Sequence, residues 1–281
     1  MQAVRALKAH YPLQLLLEIA DLPRSTYFYH QARLAGPDPH AALDAAIQAA
    51  FTQAHGRYGH RRIHRELRKT GWQIAKKTVL TRMRVLGLVC PVRRKKRVTT
   101  YRGDVGRTAP NLLNREFRAS QPNQKWVTDL TEVRLGEAKR YLSPVMDLYD
   151  RQIIAYTIGP SPTLELATRA LQEAIGTLGP EDHPLVHSDQ GFQYQHHRWR
   201  QLLADAGATP SMSRKGNCLD NAVIESFFGQ LKSELLHEAF PTIAALETGM
   251  HAYIHWYNHH RTSATLIGLS PVQYRAQTLV T

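Results

Sequence analysis

Three carboxylates and one amine stand out for where they fall. Glu225 lies in a stretch, Ser213 to Lys232, that opens with loop residues and then turns helical. At about 100° per residue, Ile224, Phe227, Phe228, Leu231 and Leu235 gather on one side, and Asn221, Glu225 and Lys232 line its flank. An acid at the margin of a core-facing helix, with a cation two turns further on, can bind a metal and touch a phosphate. Most helical Glu and Lys residues are only solvated decoration, so the other acids decide the matter. Asp129 sits within a strand pattern between Val127, Leu130 and Val133, where an unpaired carboxylate is costly. Asp189 follows the short run Leu185-Val-His-Ser, at the carboxyl edge where open α/β sheets place ligands. Like charges crowded together raise each other's pKa unless a cation offsets them. Magnesium, with manganese as substitute, suits such all-carboxylate ligation; no His/Cys cluster has zinc-ligand spacing. Three acids can hold two ions about 4 Å apart, one activating the attacking oxygen and one stabilising the leaving oxygen of an in-line phosphoryl displacement.

Each acid also has an ordinary role open to it. Asp129 can be an edge residue bonded to a neighbouring turn, and Asp189 can close the loop before Gly191. Glu132, Asp147, Asp150 and Asp220 compete as site acids, Asp147 with a basic side chain as possible partner and Asp220 as possible helix N-cap. In the tail, His251, His255 and His259 share a helical face, so zinc is geometrically possible there, although packing and phosphate contacts are the commoner roles.

The elements that must position these groups follow from periodicity. Residues 125–135, 141–149 and 153–158 read as a strand meander, followed by a helix over 164–178, a strand at 184–188, a helix over 196–206, a strand at 209–212 and the Glu225 helix. The order βββ-α-β-α-β-α predicts a mixed sheet flanked by helices, in the manner of the ribonuclease H-like fold, with Asp129 and Asp189 on adjacent strands. Upstream, helices beginning near Asp44 and His60 and spanning about 76–86 form an all-α, helix-turn-helix-type region, with Gly87 as a C-terminal stop. The expected divisions are a helical segment 1–36, a basic DNA-binding domain 40–97, a linker 98–120, a catalytic core 121–237 and a helical tail 238–281.

Charge separates these parts. The 281-residue chain carries a formal charge of +13. Between His55 and Thr100 there are 15 Lys and Arg and one acid, Glu66, so this stretch alone carries +14. A polyanion is the natural partner, nucleic acid above all. Arg61, Arg62, Lys76 and Lys77 lie on the outer faces of the predicted helices, and Arg93, Arg94, Lys95, Lys96 and Arg97 form a polybasic phosphate grip. No apolar run is long enough to span a bilayer, and two cysteines in different segments fit a reducing cytoplasm.

The segments Trp126-Val-Thr-Asp-Leu-Thr, Leu185-Val-His-Ser-Asp-Gln-Gly-Phe-Gln-Tyr and Ser211 through Gly229 resemble the transposases of bacterial insertion sequences of the IS-three family. So does the tail from Tyr253 to Arg275. Asp189 and Glu225 are separated by 35 residues, the spacing shared with retroviral integrases, and Lys232 stands where the family has a basic residue. The resemblance implies that Asp129, Asp189 and Glu225 are the metal-binding catalytic acids. It implies that Lys232 contacts DNA near the scissile phosphate, and that Arg214, Lys215 and Asn221 touch the element end. The implied reaction is end hydrolysis followed by direct attack of the freed 3′-hydroxyl on another phosphodiester. Ser263 departs from the family pattern, where histidine is frequent. No sustained heptad repeat is present, so the chain resembles the second-frame product. Its expected partners are DNA, the upstream-frame protein or a fusion with it, and further copies of itself, in the bacterial cytoplasm. An integrase or structure-specific nuclease on the same fold, and a non-catalytic DNA-binding regulator, are the alternatives.

Overall fold

The computed structural model describes residues 2–35, 38–91 and 108–279. The chain divides into two units, one ending at Cys90 and one beginning at Pro91. In the first, α1 (Gln2–Leu7), α2 (Leu13–Ile19) and α3 (Arg24–Ala35) bury Val4, Leu16, Leu17 and Tyr27 together. Helices α4 (Ala41–Gln53), α5 (His60–Lys69) and α6 (Lys76–Val85) follow. Their inward stripes, Leu43 and Ile47, Ile63 and Leu67, Val79 and Met83, are all buried. Gly87 ends α6 in the left-handed region, with φ of 67°, and Leu88 N–H returns to the Met83 carbonyl at 2.9 Å, a glycine stop. Arg82 does not join the basic outer face. Its guanidinium grips Asp44 of α4, Nε to Oδ1 at 2.8 Å, because α6 turns this position toward the only nearby acid of α4's first turn.

The second unit is built on six strands. They are β1 (Lys125–Thr128), β2 (Thr131–Leu135), β3 (Ala138–Asp147), β4 (Ile153–Gly159), β5 (Leu185–Ser188) and β6 (Thr209–Met212). β1 and β2 lie end to end along one side of β3, antiparallel to it, and β4 pairs with the other side. β5 runs parallel to β1, and β6 parallel to β5. The expected first strand is therefore split in two at Asp129 and Leu130. The cause lies across the ladder: the register Thr128↔Val145 and Thr131↔Leu142 sets Pro144 opposite Asp129. Proline has no N–H to donate, so the ladder lapses there, and the Pro144 carbonyl instead accepts from Thr128 Oγ1 at 2.9 Å.

Helices flank this sheet. α7 (Leu164–Ile175) is capped by Thr163 Oγ1, which accepts from Leu166 N–H. With α8 (Phe192–Gln195) and α9 (His197–Asp205) it closes a core around Trp126, Val145, Val186, Tyr194 and Trp199. A 3-10 turn (Cys218–Asn221) leads into α10 (Ala222–Leu235), whose predicted stripe Ile224, Phe227, Phe228, Leu231 and Leu235 is buried throughout. α11 (Ile243–His259) lies beside α10, and α12 (Pro271–Leu279) follows. Among the described residues, no helix is long and apolar enough to cross a membrane.

One buried ion pair fastens α10 to the chain end. Glu234 accepts from Arg261 Nε at 2.8 Å and Nη2 at 2.6 Å, and from Tyr253 Oη at 2.9 Å. Removing one member of a buried, hydrogen-bonded pair strands the other charge. Arg261→Ala is therefore expected to cost about 3–5 kcal/mol, read from urea unfolding, with Glu234→Gln/Arg261→Met recovering much of the loss.

Candidate active site

Asp129 and Asp189 arrive side by side because β1 and β5 are parallel and in register, Val127 against His187, and each acid is the second residue beyond that pair. Both side chains are partly buried. Asp129 Oδ1 accepts from Leu130 N–H at 2.7 Å and Asp189 Oδ1 from Gly191 N–H at 2.8 Å. Neither has an ion-pair partner among the described residues. Burial first, and then the neighbouring Asp189 charge, push the Asp129 carboxyl well above the usual carboxylate range; Glu225 pushes the same way and Lys232 opposes them. Burial raises Asp189 too. Two uncompensated carboxylates, with a third acid in electrostatic reach from the first turn of α10, form an all-oxygen donor set that asks for a hard divalent cation. Among the described residues, no three His, Cys, Asp or Glu side chains are yet gathered tightly enough to ligate one ion.

The loop before α10 is stitched to both strand ends. Ser213 N–H donates to the Ser188 carbonyl at 2.9 Å, and Asn221 Nδ2 donates to the Thr128 carbonyl at 3.2 Å. The residue preceding each acid is thus held by one end of the loop. His187 braces the same region from within, Nδ1 to Ser211 Oγ at 2.8 Å and Nε2 to Ser213 Oγ at 3.0 Å. Burial lowers its pKa to about 4, so the imidazole is neutral. Under the acids lies Tyr194, whose phenol is kept protonated by burial and by the charges of Asp129 and Asp189. Sequence reasoning singled out neither His187 nor Tyr194. Their positions, two residues before and five after Asp189, were the available signal.

The other expected contacts divide. Lys215 is exposed, as are Arg61, Lys76 and Lys77, while Arg62 is half-buried with its guanidinium 5.4 Å from the centroid of the Tyr58 ring. Asn221 is buried, and its Nδ2 donates to the Thr128 carbonyl. Arg214 is bound to Asp220 through Nε at 2.9 Å and Nη2 at 2.8 Å. Arg93, Arg94, Lys95, Lys96 and Arg97 lie outside the described residues. The competing acids all have cations. Glu132 is held down to about 2, first by Arg134 and then by Tyr141 and Lys139. Arg275 bridges Asp147, at 2.9 Å, and Asp150. Asp220 caps no helix; it takes Arg214 and Arg115. In the tail, His251 turns away to Tyr156 Oη at 2.8 Å, which leaves His255 and His259 stacked with centroids 4.4 Å apart.

A Cβ on Gly191 would come within 2.9 Å of Asp189 Oδ1 and 3.0 Å of Gln193 Oε1. Gly191→Ala is expected to displace the carboxylate and to lower the affinity for Mn²⁺, followed by electron paramagnetic resonance, with little change in the melting temperature. A second expectation concerns pH. A carboxyl raised above its ordinary value of 3.8 contributes stability that is present below that value and lost as pH rises through the folded pKa. In EDTA, Asp129→Asn should therefore melt above the wild type at pH 7 and level with it near pH 4.

The chain matches the family described as Integrase core domain over residues 119–218, and a second Integrase core domain family over 225–279. Residues 39–96 match the HTH-like domain. It is 44% identical over 279 residues to InsK, a transposase of insertion sequence element IS150 in Escherichia coli K12, covering 99% of this chain and 98% of that one. It is 38% identical over 238 residues to the transposase InsF of IS3A from the same organism, covering 84% and 83%. The IS1353 protein of Shigella flexneri is 42% identical over 98% of this chain, which spans 54% of its length. Among solved structures, the HTLV-2 integrase catalytic core domain in complex with magnesium is similar at 18% identity and a TM-score of 0.46, over 56% of this chain and 99% of that one.

Proposed function

The chain belongs to the IS150/IS3 family of insertion-sequence transposases, and on that premise we propose that Asp129, Asp189 and Glu225 are its catalytic acids and hold Mg²⁺, with Mn²⁺ as substitute. The observation that carries this reading is the pair Asp129 and Asp189 at adjacent parallel strand ends, partly buried side by side with no ion-pair partner among the described residues. Divalent cations held there would supply activation of an attacking oxygen and stabilisation of a leaving oxygen at phosphorus. The protein's own groups do the rest. The two strand ends fix Asp129 and Asp189, and α10 brings Glu225 from the side. Lys232, two turns along α10, holds a phosphate oxygen of the cleaved strand. Lys215 and Arg214 contact the element end.

DNA is bound by the helix-turn-helix-like unit and by the core. Arg61, Lys76 and Lys77 are exposed cations on α5 and α6 of that unit, and Arg62 lies over the Tyr58 ring. Phosphate contacts of this kind set register on the duplex and make affinity fall with salt. The polybasic run 93–97 extends the grip. On this reading residues 40–97 form the DNA-binding domain and 121–237 the catalytic core. An upstream-frame protein, or fusion with it, completes end recognition; the extra length of the IS1353 relative supports this. Two element ends must be joined in one event, which favours assembly of more than one copy on DNA.

The test is cleavage and strand transfer on a duplex carrying the element's terminal repeat, in Mg²⁺. Asp129→Asn, Asp189→Asn and Glu225→Gln should each fall to the level of the protein-free control while still shifting the duplex in a gel. Wild-type activity in Glu225→Gln would sink the assignment.

A further inference from the structure

A fully buried carboxylate in the turn that leads into α10 holds two half-exposed arginines. Asp220 has no accessible surface, yet it accepts five hydrogen bonds. Arg214 supplies its backbone N–H at 3.1 Å, Nε at 2.9 Å and Nη2 at 2.8 Å. Arg115 supplies Nε at 2.8 Å, and Asn111 Nδ2 at 2.9 Å. The two arginine side chains remain 54% and 43% exposed.

The backbone is bent to make this possible. Asn114 and Arg115 are consecutive non-glycine residues in the left-handed region, at φ of 42° and 64°. Residues so placed persist only where surrounding contacts over-determine them. Here those contacts are Asn114 N–H to Asn111 Oδ1 at 2.9 Å, and the amides of Leu112 and Leu113 to Ser211 Oγ at 3.0 and 3.2 Å. The bend delivers a guanidinium from residues 111–115 to the loop that precedes the Glu225 helix.

A carboxylate that served only to neutralise charge would take one arginine. This one takes two, so the node keeps a surplus positive charge and two planar guanidinium groups set side by side. The next residue, Asn221, is bonded to the carbonyl of Thr128, beside Asp129, so the node is tied to the strand end that carries the site.

We propose that Arg115 and Arg214, held rigid by Asp220, form a phosphate-binding pair that grips the DNA backbone beside the Glu225 helix. Asp220 is a positioning residue, and Arg115 is the new contact. The inference uses the transposase reading only to identify the phosphate as that of a DNA strand. Guanidinium groups fixed in advance lose less freedom on binding, so affinity rises without further contacts.

The prediction has a sign that simple charge counting reverses. Asp220→Asn removes a negative charge next to DNA, which by Coulomb attraction alone tightens binding. Preorganisation predicts weaker binding instead, by on the order of fivefold, because both arginines lose their anchor. Binding of the full chain is measured by fluorescence anisotropy, in EDTA, with a duplex carrying the element end and with one of scrambled sequence, across a salt series. Arg115→Ala should weaken both duplexes about equally and reduce the slope of log affinity against log salt by about 0.9, and Arg115→Lys should restore the slope but not the full affinity. Tighter binding by folded Asp220→Asn, or an unchanged slope in Arg115→Ala, overturns the proposal. If Asp220→Asn does not fold, the Arg115 pair of variants decides. Since metal-dependent cleavage is not read here, wild-type cleavage by Glu225→Gln would leave this result standing.

Discussion

Two carboxyl groups held next to each other at the ends of paired strands, with no ion-pair partner among the described residues, set the terms for the rest of the catalytic unit. The repulsion is built in by the parallel register of β1 and β5 and sharpened by burial. A fold can keep such a pair only if its neighbours are rigid enough not to relax it away. That is what surrounds Asp129 and Asp189: a loop bonded to the carbonyl before each acid, a neutral histidine wedged between two serines, and a phenol underneath. The sharing of cations among the other acids is the complement of this. Glu132, Asp147, Asp150, Asp220 and Glu234 each have a basic partner, which Asp129 and Asp189 lack among the described residues.

Much of this was legible in the chain itself. The strand and helix order, the buried stripe of α10 and the inward faces of α5 and α6 all follow from periodicity, because one buried face leaves the same mark on any sequence. The rest depended on partners distant in sequence. The break at Asp129 is imposed by Pro144, fifteen residues away along the chain, and becomes visible only once β3 is laid in register. Nothing local to Arg82 shows that Asp44, 38 residues away, is folded against it. Asn221 is the converse case: a polar residue in a loop-like stretch that turned out to be interior, its amide bonded to Thr128.

Two kinds of positive charge occur in the chain. In the first unit, Arg61, Lys76 and Lys77 stand exposed on helices whose inner faces are apolar, suited to tracking a backbone without fixing a single geometry. In the second, Arg115, Arg214, Arg261 and Arg275 are pinned by carboxylates. The first arrangement supplies attraction that weakens with salt, and the second supplies shape.

The clamp between Glu234 and Arg261 gives the order of synthesis a physical meaning. Arg261 lies 27 residues beyond Glu234, so α10 leaves the ribosome with an acid on its core face and no cation to meet it. Until α11 has emerged and turned back, that helix has reason to stay unseated, and Glu225 with it. The acids at the ends of β1 and β5 are made before α10, and α10 is locked down only after Arg261 has been translated.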